Sequence, residues 1–232
     1  MWRMISLLTV LLLRVHAVNA QNLMDDLKTI ATSLDSALSV EIKVLCKVYA
    51  KKDGELISSA NTGMIKKGKL TVSMFEDMEI LSNEKYGVYV NNENKSIAIL
   101  SRSKHTSRLK SFDDKGIDQF VSWLKKQQTR TEFKPVLVSD EGDLRTYAIR
   151  NLDKNLKEVL VCLNIKQKTI VKISYEFSES SEQKQKYILL NYSKFLVNNG
   201  EIELNQNDYY IQQSGKFLPG NKYKTYSVTT DL

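Results

Sequence analysis

Histidine, cysteine, proline and glycine are all scarce in this chain of 232 residues, which has two His, two Cys, two Pro and nine Gly. A zinc site takes three or four ligands at suitable spacing, and these few side chains cannot supply them without carboxylates. His16 and His105 form no helical pair. A Cys–His nucleophile pair would need His105 beside Cys46 or Cys162, and alternation places both cysteines inside strands. The glycines make neither a G-x-G-x-x-G turn nor a phosphate loop. Runs starting at Ser82, Ser101, Ser107, Ser122 and Ser181 match S-x-x-K, as a chain rich in Ser and Lys does by chance, and the motifs that accompany it in acyl-enzymes are missing. With so little Pro and Gly there is no disordered linker, and no internal repeat is present. These absences leave no catalytic constellation, no metal site and no cofactor motif. The expectation is a protein that is not an enzyme.

The first twenty residues read as an export signal. Arg3 supplies the positive start, Ile5 to Leu13 the apolar stretch, and Val18-Asn19-Ala20 the small-residue cleavage site, which makes Gln21 the mature N-terminus. The apolar stretch is shorter than the roughly 20 residues that span a bilayer. Gln21 is not cysteine, so no lipid anchor is expected there. Removing residues 1–20 takes away Arg3 and Arg14 and no acid, so the net charge of +7 falls to +5. That suffices for solubility and weak steering. No basic stripe is interleaved with aromatics, which argues against a nucleic-acid partner. Residues 21–232 have the length of one domain with one sizeable core.

What is abundant is alternation. From Leu38, the positions Leu38, Val40, Ile42, Val44, Cys46 and Val48 are all apolar, while Glu41, Lys43 and Lys47 stand between them. A period of two marks a strand with one buried face. Thr62 to Ile65, Leu70 to Met74, Glu79 to Leu81, Tyr86 to Val90 and Ser96 to Leu100 continue a meander with polar turns. Before it, Asn22 to Asp35 reads as a helix with the stripe Leu23, Leu27, Ile30 and Leu34. After it, a basic loop from Arg102 to Lys110 precedes a second helix, Lys115 to Gln128, with Ile117, Phe120, Val121 and Leu124 at helical spacing and Trp123 beside them. Thr129 to Asp143 reads as a connector, and Ser178 to Gln185 as an exposed loop. Strands are expected at Arg145 to Arg150, Val159 to Ile165, Val171 to Phe177, Tyr187 to Val197, Asp208 to Gln213 and Lys222 to Val228. The fold class is therefore α+β, mainly antiparallel β. Export to an oxidising compartment allows a Cys46–Cys162 bridge, and two buried free thiols fit the sequence as well.

Two stretches carry a resemblance. Gly63-Met64-Ile65-Lys66-Lys67-Gly68-Lys69-Leu70-Thr71-Val72 looks like a strand-turn-strand of the LolA family of periplasmic outer-membrane lipoprotein carriers, and Ile80 to Asn91 resembles that family's next hairpin. The order of signal, helix, meander, helix and further strands is similar too. The Lys- and Asn-rich composition fits a divergent member of the Bacteroidetes type. The resemblance implies a LolA/LolB-like incomplete, half-open β-barrel covered by helices. It implies a periplasmic chaperone, a monomer, that carries lipoprotein or lipid acyl chains from an inner-membrane transporter to an outer-membrane acceptor. The candidate lining of the concave apolar face is Val40, Ile42, Val44, Val48, Leu70, Val72, Met74, Ile97, Ile99, Val171, Ile173 and Tyr175, with Phe120, Trp123 and Leu124 as lid candidates. The alternative is an exported structural or interaction protein with the same strands and a filled core.

Overall fold

A computed structural model describes residues 23–105, 135–153, 155–179, 181, 185–200 and 202–232. The export signal and the second helix, with Phe120, Trp123 and Leu124, lie outside the described residues. Twelve strands are hydrogen-bonded in the order β14-β6-β5-β4-β3-β2-β1-β11-β10-β9-β8-β7. The sheet is unclosed, with β14 and β7 as its edges. Among the described residues the β2–β3, β3–β4, β4–β5, β5–β6, β7–β8, β8–β9, β9–β10 and β10–β11 pairings are antiparallel and β14 pairs with β6 in parallel, so the expected α+β, mainly antiparallel class holds. The chain falls into two compact units.

Of the described residues, the first unit comprises those within 23–35, 46–59 and 135–192. Its helix α1 spans residues 23–35. Leu23, Leu27 and Ile30 are fully buried, as their spacing requires. Its strands are β7 (Val136–Glu141), β8 (Leu144–Asp153), β9 (Leu156–Asn164), β10 (Thr169–Phe177) and the first half of β11 (Tyr187–Val197). Register puts Tyr147 opposite Val161, Ile149 opposite Val159, and both partners opposite Ile173 and Tyr175. Residues directly opposite one another share a face. The charged pair Arg150–Glu158 at 2.6 Å lies on the other one. On the core face Tyr147, which takes α1, donates to Asp26 at 2.6 Å, and Arg145 stands 3.4 Å from the same carboxylate oxygen.

Of the described residues, the second unit comprises those within 36–45, 60–105 and 193–232. It holds most of β1 (Ser39–Tyr49) and β2 (Leu56–Lys67), and all of β3 (Leu70–Phe75), β4 (Met78–Ser82), β5 (Tyr86–Asn91) and β6 (Ser96–Ser101). Val72, Leu81, Val88 and Ile99 stand in one cross-strand row, and Met74, Glu79, Val90 and Ile97 in the next. After β11 the chain makes a 3-10 turn at Gln206–Asp208, the hairpin β12 (Tyr210–Gln213) and β13 (Lys216–Pro219), and a second 3-10 turn at Asn221–Tyr223. It then ends in β14 (Ser227–Asp231).

Four expectations need correction. Leu38 is 77% exposed and precedes the strand, its amide bonded to Asn198 and its carbonyl to the Gly68 amide. The connector from Thr129 contains β7, which begins after Pro135; a proline at the start of an edge strand costs no ladder bond. The loop after Ser178 is partly internal: Ser181 is buried, and the Lys186 ammonium bonds the carbonyls of Ser178, Glu179 and Ser181. Lys222 to Val228 is not one strand, because Tyr223 turns inward to reach Glu79 and pairing begins only at Ser227.

Candidate apolar site

Within the first unit, burial is graded along one face. Val159 and Val161 on β9 have no exposure and Ile173 on β10 almost none. Tyr175 on β10 and Ile188, Leu190 and Tyr192 on β11 are half-buried, as are Cys46 and Val48 on β1. Tyr175 stands opposite Ile188, and Ile173 opposite Leu190, so these side chains lie together; Tyr192 follows Leu190 by two positions on the same face. Burial pushes the Tyr175 phenol up to about 12. Tyr192 is raised as well, by burial first and by nearby Tyr175 second. Both hydroxyls therefore stay neutral at physiological pH. The face offers apolar surface and two uncharged phenol groups.

The other candidate residues fall elsewhere. Val40, Ile42 and Val44 are buried in the second unit. Val72, Ile97 and Ile99 belong to a core cluster with Leu81, Val88, Val90, Tyr209, Tyr210 and Tyr223, and Leu70 and Met74 pack against it. Val171 is half-buried beside the irregularity between Ile170 and Lys172.

Sequence reasoning missed the polar centre of the second unit. Glu79 is buried in the apolar row of β4 and accepts from the hydroxyls of Tyr209 at 3.0 Å and Tyr223 at 2.6 Å, and from the Lys222 ammonium at 2.9 Å. Burial alone would raise its carboxyl. These donors, Tyr223 foremost, outweigh that and hold it below the ordinary carboxylate range. The signal was a lone acid at an apolar position of a strand, which demands partners from elsewhere in the chain.

Cys46 and Cys162 are free thiols. Among the described residues no group of three or more His, Cys, Asp or Glu is placed to hold a metal ion. No helix there is long and apolar enough to cross a membrane.

No protein-family model and no curated protein sequence matches this chain. Among solved structures it is similar to a LolA superfamily protein from Nitrosomonas europaea, at 11% identity over 82% of this chain and 96% of the other, with a TM-score of 0.31. It is similar to the lipoprotein LppX from Mycobacterium tuberculosis, at 12% identity over 80% and 99% of the two chains, with a TM-score of 0.39. It is similar also to LprF from Mycobacterium bovis, at 9% identity over 81% and 98%, with a TM-score of 0.40. At such scores they run along the chain without close superposition, and the functional reading rests on the chain's own residues.

Proposed function

We propose that this chain is an exported carrier that holds the acyl chains of a lipoprotein, or another amphiphile, against an apolar face. It works in the periplasm as a monomer, receives its cargo from an inner-membrane transporter and passes it to an outer-membrane acceptor. The observation that carries the reading is the graded burial from Val159 and Val161 to Tyr175, Ile188, Leu190 and Tyr192. A finished core would bury the whole row. A row that stays half-open at one end leaves apolar surface for a flexible chain. Each methylene moved there from water contributes about 0.8 kcal/mol. About ten of them match the roughly 8 kcal/mol of micromolar binding before ordering costs are subtracted. No catalytic group is required.

The test is binding of a triacylated lipopeptide, read by fluorescence anisotropy. Tyr175→Asp places a charge on this face and is expected to weaken binding by about a hundredfold, read on protein whose circular dichroism shows it folded. Unchanged binding by a folded Tyr175→Asp protein would overturn the reading.

A second reading has its own support. In the second unit the chain's own Tyr209, Tyr210 and Tyr223 cover the β3–β6 face, which is what an interaction protein with a filled core would show. On that reading the lipopeptide does not bind at all.

A further inference from the structure

The segment between β11 and β14 lies on the second unit in an unusual way. Its two strands, β12 and β13, pair only with each other and form a separate two-stranded sheet. Among the described residues, no backbone hydrogen bond joins residues 202–226 to the twelve-stranded sheet; the first is from the Ser227 amide to the Lys95 carbonyl. Side chains make the attachment. Glu79 takes Tyr209, Lys222 and Tyr223. Asn83 donates to Gln206 at 2.8 Å and Tyr210 at 3.0 Å, and Tyr226 donates to Asn92 at 3.0 Å. Both ends are tethered by ladders, through β11 with β10 and β14 with β6. The face beneath is apolar apart from Glu79: Val72, Leu81, Val88, Val90, Ile97 and Ile99 have essentially no exposure.

We propose that the stretch from Leu204 to Tyr226 is a displaceable strap that occupies the apolar face of β3–β6 and cedes it to the acyl chains of the cargo. The proposal rests on the carrier reading above and adds a second binding surface with its own regulation. A segment tied at both ends and held between them by side chains opens as a unit without unfolding the sheet. Acyl chains replace its tyrosine rings with equivalent apolar contact. Opening strips Glu79 of all three partners, and that cost sets a threshold. Only an amphiphile with enough chain to bury overcomes it, so a multi-chain lipid displaces the strap and a single-chain fatty acid does not.

Two measurements test this. In the protein alone, hydrogen exchange read by mass spectrometry is expected to show residues 204–226 exchanging well ahead of β4–β6. Glu79→Gln should speed the strap alone by about tenfold and leave β8–β10 unchanged. If the strap exchanges only together with β4–β6, it is core and the proposal is overturned. In the second measurement Asn83→Cys and Gln206→Cys are introduced with Cys46→Ser and Cys162→Ser, and the new pair is bridged with dibromobimane. The bridged protein is expected to bind a triacylated lipopeptide at least about tenfold more weakly than the unbridged one, because the bridge denies the acyl chains the second surface. Equal binding in the two forms would overturn the strap and leave the carrier reading intact. No binding in either form would overturn both.

Discussion

Tyr223 donates its hydroxyl to Glu79 at 2.6 Å across 144 residues of chain. This bond ties the segment after β11 to strand β4, and Tyr209 and Lys222 join it. Glu79→Ala would leave the buried hydroxyls of Tyr209 and Tyr223 without their acceptor, while the half-exposed Lys222 ammonium turns to water. The expected cost is about 2–4 kcal/mol, from the penalty for unpaired buried polar groups. In a chain of this size each kcal/mol moves the thermal midpoint by about 2–4 °C, so calorimetry should show a fall of about 4–16 °C. A midpoint within about a degree of the native one would show that the trio carries no stability.

The same cluster fixes a pH dependence. Burial would raise Glu79, but Tyr223, Lys222 and Tyr209 together lower it. At Glu41, burial is likewise outweighed by Lys194 and Lys43. A carboxyl whose folded pKa lies below its unfolded value contributes stability that is fully present above the unfolded value, about 4.3. That stability is lost as the pH falls through the folded value. Urea midpoints are therefore expected to fall between pH 5 and pH 3, by about a smaller amount in Glu79→Gln than in the native chain. Parallel curves for the two proteins would contradict the role given to Glu79.

Helix α1 is fastened by Tyr147 and Arg145 at Asp26 as well as by its apolar stripe. Tyr147→Phe removes the hydroxyl that donates to Asp26 and leaves Arg145 as that carboxylate's remaining partner. The expected loss is about 1–2 kcal/mol. Hydrogen exchange should locate it in residues 23–35, with β3–β6 unaffected. Burial first, and Asp26 second, hold the Tyr147 phenol well above its usual range, so this fastening does not loosen across neutral pH.

Gly63 marks a place where no side chain fits. A Cβ there would come 2.4 Å from the carbonyl oxygen of Ile42, a backbone atom that cannot swing aside. Gly63→Ala is expected to destabilise the second unit by about 2–3 kcal/mol, as overpacking does. Gly68→Ala provides the contrast: its added methyl meets no neighbour within 4 Å, and its cost comes from the positive φ of 59°. An unfolding curve for Gly63→Ala that matches the native one would contradict the close approach.

The strands were legible because their sequences alternate. The expected Tyr187 to Val197 coincides with β11, and Leu70 to Met74 falls one residue short of β3. The beginning of β2 was not legible: Ser58, Ser59 and Asn61 interrupt the alternation, and residues 56–59 are exposed. Alternation also says which residues share a face but not what covers that face. Val72 and Ile173 carry the same signal in the sequence. One meets Tyr209 and Tyr223 from more than a hundred residues away, and the other stands beside the half-open row of Tyr175 and Ile188. Only the path of the chain after β11 separates them. Glu79 was hidden for the same reason, since its three partners all arrive from that distant segment.

The carrier reading is tested most directly by non-denaturing mass spectrometry of the mature protein purified from a bacterial periplasm. The expected result is a mass increased by a co-purifying phospholipid or acylated peptide, which detergent removes and added triacylated lipopeptide restores. A single protein mass that does not change on adding the lipopeptide would contradict the account and leave the filled-core interaction protein in its place.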